Sequence, residues 1–166
     1  MRASAMKLVH ALRHHDLGPF ARAGGRGKAM ASLARASMRA ASELARARLR
    51  FARFSIAMVA QGNAAAARGR GADAASEADR VLLEQVAFVI PRVAARLPWR
   101  SDCLPQAMAA QRWLADEGIA STLTIGIDRR DGLPFSAHAW LRHGEIVVTG
   151  GAVADYATIF GDTAAD

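Results

Sequence analysis

Cys103 and His138 are the side chains of this 166-residue chain best suited to covalent chemistry, and Cys103 is its only cysteine. A thiol within the first turn of a helix meets unpaired backbone amides and the positive end of the helix dipole, both of which favour the thiolate. Ser101-Asp102 are N-cap residue types, and Pro105 is acceptable only in a helix's first turn, so Cys103 stands at such a start. His138 lies in Ala137-His-Ala-Trp140, where small neighbours leave its ring uncrowded. Strand alternation sets it on the face opposite Phe135, Ala137 and Leu141. If that strand runs beside the helix start, imidazole and thiol come within hydrogen-bond reach and form a thiolate–imidazolium pair. Two plainer readings stand beside this one: a free cysteine as a small buried hydrophobe, and a histidine satisfied within the core. His10, His14 and His15 fall in a basic segment and His143 reads as a turn residue, so none serves as well as His138.

The elements that must position these two side chains follow from periodicity. Ala29–Gln61 has no proline or glycine, and Leu33, Ser37, Ala40, Leu44, Ala47, Phe51, Phe54 and Met58 recur in steps of four and three. That is one face of a long helix, with Gly62 as its stop and Arg35, Arg39, Arg46, Arg50 and Arg53 largely off the stripe. Glycines at 24, 25 and 27 interrupt the preceding segment, and Gly62-Asn63 with Gly69-Arg-Gly71 mark a second break. Ala72–Leu97 reads as another helical region with Leu82, Val86, Val89 and Val93 buried, kinked or split at Pro91. The Cys103 helix runs through Leu104, Met108, Gln111 and Leu114 to Gly118, where Ile119 supplies the contact that follows a glycine cap. Ser121–Ile127 alternates with Leu123, Ile125 and Ile127 inward. Asp128–Gly132 is a turn, Phe135–Arg142 a second strand, His143-Gly144 a turn and Glu145–Thr149 a third strand. Helices followed by one helix and an antiparallel meander make an α+β fold. We divide the chain into a basic helical region, residues 1–71, packing on a core of residues 72–166.

Composition bounds the function. A 52% apolar share supports one core, and one cysteine excludes an intramolecular disulfide framework and Cys-rich zinc modules. The longest apolar run, within Phe54–Ala60, is far short of the roughly 20 residues of a membrane span. Met1–His15 lacks the apolar core of a signal peptide, so a cytoplasmic location is expected. With no His-x-x-x-His pair and no glycine-rich phosphate loop after a strand, neither metal nor cofactor is expected. Residues 1–70 carry 14 Lys and Arg against Asp16 and Glu43, a net +12, and residues 71–166 carry 8 against 13 acids, a net −5. Such asymmetry suits an anionic partner, although a solvated arginine-rich helix face explains it equally. Nucleic acid is disfavoured because the arginines are not interleaved with aromatics.

Four blocks together, Ser101-Asp-Cys-Leu-Pro-Gln-Ala107, Trp113-Leu-Ala-Asp-Glu-Gly-Ile119, Thr124-Ile-Gly-Ile127 and Phe135-Ser-Ala-His-Ala-Trp-Leu141, resemble the transglutaminase-like leader peptidases of lasso-peptide biosynthesis, the family of the microcin-processing B protein. The resemblance covers about residues 80–155, and more loosely Leu49–Phe54. It implies a papain/transglutaminase-like fold and a cysteine peptidase that cuts the leader from a ribosomally made precursor, after which an asparagine-synthetase-like cyclase closes the macrolactam. On that resemblance Cys103 attacks the scissile carbonyl and His138 takes the thiol proton and returns one to the leaving amine. The Cys103 amide faces the oxyanion, with Gln106 as a candidate second donor, and Trp140 either lines the cleft or covers the sheet edge.

Where many relatives place an Asn-Asp pair after the third strand, this chain reads Val148-Thr-Gly-Gly151, which leaves Asp155 as the candidate third member. The alternative is a dyad with a backbone carbonyl orienting the imidazole, and Asp102 reads as a helix cap. Trp99 and Trp113 read as structural. Longer relatives carry a winged-helix leader-recognition domain. Residues 1–70 lack its strand alternation, so the resemblance implies a separate recognition protein docking on the basic helices. Two other functions remain open at this point: amine acyl transfer on the same fold, and a non-catalytic basic module that binds peptide or nucleic acid.

Overall fold

A computed structural model describes residues 17–22, 24–53, 55–128 and 136–161. The Asp128–Gly132 turn beyond its first residue, Phe54, Phe135 and the three N-terminal histidines lie outside them. After a 3₁₀ turn at Gly18–Arg22 come four helices: α1 (Arg26–Phe51), α2 (Ile56–Ala66), α3 (Glu77–Ala94) and α4 (Cys103–Asp116). A second 3₁₀ turn, Ala72–Ala74, precedes α3, and the strands β1 (Thr122–Asp128), β2 (Ala137–His143), β3 (Ile146–Thr149) and β4 (Tyr156–Phe160) follow α4. The fold is α+β, with a helical region leading into a four-stranded antiparallel sheet of order β3-β2-β1-β4.

The stripe expected on the first helix is the buried one: Leu33, Ser37, Ala40, Leu44 and Ala47 face α3 and α4. Its small residues let the helices approach closely, which is how so few aromatics fill the core. The expected continuous helix instead ends at Phe51. Ser55, in extended conformation, caps a new helix by accepting from the Met58 amide at 3.3 Å. Gly62 lies inside α2 and is not its stop. A Cβ there would stand 2.9 Å from the Gln111 side chain, so glycine lets α2 settle on α4. Beside it, the Asn63 side chain donates to Leu123 O at 2.9 Å and accepts from Leu123 N at 2.8 Å, acting as a ladder rung on β1 where β4 does not reach.

Helix α3 opens with a capping box, Ser76 and Asp79 each bonding the other's backbone amide. It is not split at Pro91, which sits in the last turn, where one lost donor is tolerable, and Ala95 N still bonds Pro91 O at 3.0 Å. Its buried face is Leu83, Val86, Val89, Ile90 and Val93, with Leu82 only partly covered. Arg70 reaches Asp79 at 2.7 Å, and its backbone pairs with the turn after α4 through Arg70 N to Gly118 O and Ala120 N to Arg70 O. The paired Arg70 guanidinium, with two hydrogen bonds from Ser76, holds the Asp79 carboxyl far below the usual carboxylate range.

Helix α4 is central and more buried than a single stripe predicts. Pro105, Ala107, Ala109, Ala110, Gln111, Trp113 and Leu114 are all covered, because α1 and α3 pack on one side and the sheet on the other. Arg39 of α1 ties its far end by pairing with Glu117 and lying 4.9 Å over the Trp113 ring. Gly118, at φ +70°, ends the helix, and Ile119 N returns to Leu114 O at 2.9 Å, as a glycine cap requires.

Leu123, Ile125, Ala139, Leu141 and Val148 form the sheet's contribution to the core. The fourth strand was not expected. Tyr156-Ala-Thr-Ile-Phe160 lacks apolar alternation and leaves Ile159 58% exposed, yet it pairs with β1 through a bulge at Ile125/Gly126. His143 is likewise no turn residue. It ends β2, is 2% exposed, and donates from Nδ1 to Ala120 O at 2.7 Å. Among the described residues no helix is long and apolar enough to cross a membrane, and no group of three or more His, Cys, Asp or Glu could hold a metal ion.

Candidate active site

Cys103 is the first residue of α4 and half-buried. Asp102 occupies the N-cap position but does not cap through its side chain, correcting the expectation. Its carboxylate turns outward to Arg100 at 3.4 Å. The first helical bond is Gln106 N to Asp102 O, and Pro105 has no N–H, so the amides of Cys103 and Leu104 are left without an acceptor in the helix. Those donors open the helix on which Cys103 is the first residue.

His138, the second residue of β2, is half-buried and fixed on two sides. Its Nε2 stands 2.7 Å from Gly150 O. A carbonyl can only accept, so Nε2 carries a proton there, and Nδ1 is the nitrogen not engaged by that bond. The ring lies 4.8 Å from the Tyr156 ring and is stacked on Trp140 at 6.2 Å with planes 26° apart. Trp140 is 3% exposed, a support beneath the imidazole that lines neither cavity at the site. Two glycines make room for it. A Cβ at Gly126 would stand 2.7 Å from the indole, and one at Gly150 would stand 2.4 Å from Trp140 Cβ. Gly150 also adopts φ +107°, which L side chains rarely accept.

The two reactive side chains share their surroundings. Cys103 and His138 both line a cavity of about 510 Å³, bounded further by Ala87, Pro91, Gln106 and Val147–Gly151. Both also line a second cavity of about 300 Å³, bounded by Arg48, Phe51, Arg100, Leu104 and Ile125 among others. Residues 41–161 match the transglutaminase-like superfamily. The chain belongs to that superfamily. No curated protein and no solved structure matches the chain significantly.

Transglutaminase-like domains are in general enzymatic, as cysteine peptidases or acyltransferases. The match in this transglutaminase-like chain starts at residue 41, within α1, so it takes in the helices packed behind α4 as well as the sheet. Of the remaining candidates, Gln106 lines the larger cavity and donates from Nε2 to Ser101 O at 2.7 Å, a bond that holds the segment entering the helix. Asp155 is exposed in the turn that Tyr156 N to Val153 O closes, and it makes no bond to the imidazole. Gly150 O stands at Nε2 instead. A backbone carbonyl leaves no residue type to read, and the one available sign was the Gly150-Gly151 pair directly after a strand. Tyr156, also missed, faces the imidazole because β4 exists.

Proposed function

We propose that this chain is a cysteine peptidase that removes the leader from a ribosomally made lasso-peptide precursor, using Cys103 as nucleophile and His138 as base. The observation that carries this is the shared lining of both cavities by Cys103 and His138, with the imidazole's Nε2 anchored on Gly150 and its Nδ1 left out of that bond. The leader-peptide assignment draws on the four sequence blocks around these residues. In the reaction, His138 Nδ1 accepts the thiol proton and the thiolate adds to the scissile carbonyl. The resulting oxyanion faces the Cys103 amide at the helix N-terminus. Collapse expels the amine of the following segment, which takes the proton from Nδ1 and leaves a thioester on Cys103. His138 then draws a proton from water, which attacks the thioester and releases the leader's new carboxylate with the thiol restored.

The partners that go with this reading are the precursor peptide, a separate leader-recognition protein seated on the basic helices, and an asparagine-synthetase-like cyclase acting on the freed core peptide. The test is incubation with candidate precursors, with and without the recognition protein, followed by intact-mass measurement. Hydrolysis at one bond, absent with Cys103→Ala, is the expected result. An amide-bearing product in place of the free acid would shift the reading to amine acyl transfer, and unchanged processing by Cys103→Ala would remove the nucleophile altogether.

A further inference from the structure

The two cavities that meet at Cys103 and His138 differ in charge. The larger is bounded by Ala87, Pro91, Gln106 and the Val147–Gly151 stretch, and apart from the reacting pair none of its lining residues is charged. The smaller brings together two guanidinium groups from distant parts of the chain, Arg48 near the end of α1 and Arg100 just before α4. Phe51, Leu104 and Ile125 add apolar lining to the same cavity. Arg48 lies 6.0 Å from the Phe51 ring centroid and has no carboxylate partner among the described residues. The carboxylate in this cavity, Asp102, meets Arg100 at 3.4 Å, but their side chains are 64% and 87% exposed, so water screens the pair. Two guanidinium groups and one carboxylate thus line the cavity on one side of the reacting pair, a net positive charge, and no charged side chain lines the other.

We propose that the Arg48–Arg100 arm is a specificity subsite that selects polypeptide substrates carrying an acidic side chain beside the scissile bond. This rests on the cleft assigned under Proposed function. A guanidinium presents paired N–H donors that match a carboxylate, and the Phe51 ring lies 6.0 Å from that of Arg48. The neutral arm takes the segment on the other side of the bond, where Val147, Val148 and the two glycines offer shape and backbone groups but no charge. The subsite also gives part of the basic N-terminal region a role within the reaction, since Arg48 belongs to it.

Because Cys103 is the only thiol, its alkylation reads the local field without a peptide substrate. The full-length protein and an Arg48→Gln/Arg100→Gln variant are each treated with iodoacetate, an anion, and with iodoacetamide, its neutral counterpart. The expected result is a roughly three- to tenfold loss of iodoacetate rate in the variant, with the iodoacetamide rate within about twofold. Equal change with both reagents overturns the proposal. In a second arm, a diverse peptide mixture is digested and the cut sites sequenced. Enrichment of Asp or Glu on one side of the cut, lost in the double variant, supports the subsite. Cleavage without acidic preference overturns the subsite and leaves the peptidase standing. Cys103 reacting no faster than free cysteine, with no peptide cut, removes the peptidase reading, and the reagent ratio still decides whether the arginines attract an anion there.

Discussion

The two histidines of β2 lie five residues apart, and each bonds a backbone carbonyl at 2.7 Å, yet their situations are opposite. His138 bonds Gly150 through Nε2 and is half-buried on the wall of both cavities that hold Cys103, leaving Nδ1 for chemistry. His143 bonds Ala120 through Nδ1, is 2% exposed, and its Nε2 lies in the interior with no partner. The anchoring bond does not distinguish a base from a structural group. What distinguishes them is which nitrogen is anchored and what the other one faces.

The largest expected effect separates the two outright. His138→Ala lowers precursor cleavage by on the order of 10³-fold, within the range that general acid–base groups supply, and leaves the unfolding midpoint nearly unchanged. His143→Ala does the reverse. Loss of a fully buried ring and its bond to Ala120 costs about 2–4 kcal/mol in denaturant titration, while Cys103 alkylation in the folded protein keeps its rate. If His143→Ala abolished cleavage in a still-folded protein, the contrast would be wrong.

Gly150→Ala comes next and tests the anchor on the catalytic side. The added Cβ meets Trp140 in a conformation that disfavours side chains, so the chain end of β3 shifts at a cost of about 2 kcal/mol and the carbonyl moves from Nε2. Cleavage is expected to fall further than stability explains, with kcat dropping more than KM rises. Asp155→Ala should change neither, and a large loss there would restore Asp155 as a third member.

The smallest effect touches the His143 end. Asp79 holds Arg70, whose backbone pairs with the same Ala120 that receives His143. Because the folded state depresses the Asp79 carboxyl, its contribution is complete above about pH 4, the unfolded value, and fades as pH falls toward the lower folded one. Asp79→Asn should therefore be less stable than the parent at pH 7, with the gap narrowing by pH 3 in parallel denaturant titrations. Cys103 alkylation should be the same in both proteins at pH 7. A gap that persisted undiminished at low pH would show that packing, not charge, holds that corner.

Legibility in the sequence followed how local the cause was. The limits of α4 were readable because Ser101-Asp102, Pro105 and Gly118 act within a turn of their own positions, and β1 to β3 were readable from alternation and flanking glycines. The end of α1 at Phe51 was not, since Ser55 stops the helix only once α2 has a surface on α4 to pack against. The same holds for Gly62, whose reason lies 49 residues away at Gln111. His143 beside Gly144 has the composition of a turn, and its burial comes from the Ala120 segment, which Arg70 places. At the site, the thiol and imidazole were visible as residue types in plausible elements. The Gly150 carbonyl and the Tyr156 ring were not, because one has no side chain and the other depends on a strand that only tertiary pairing creates.

The Asn63 amide on β1 has a consequence for how α2 is seamed to the sheet. At Leu123 the pairing of β1 with β4 has ended, and its N–H and C=O turn toward α2 and not toward another strand. One side chain answers both groups, and Gln111 Nε2 steadies it with a 2.7 Å bond to Asn63 Oδ1. Asn63→Ala would leave a buried backbone N–H and C=O without partners, and the seam between helix and sheet would loosen two residues from Ile125, which lines the cleft.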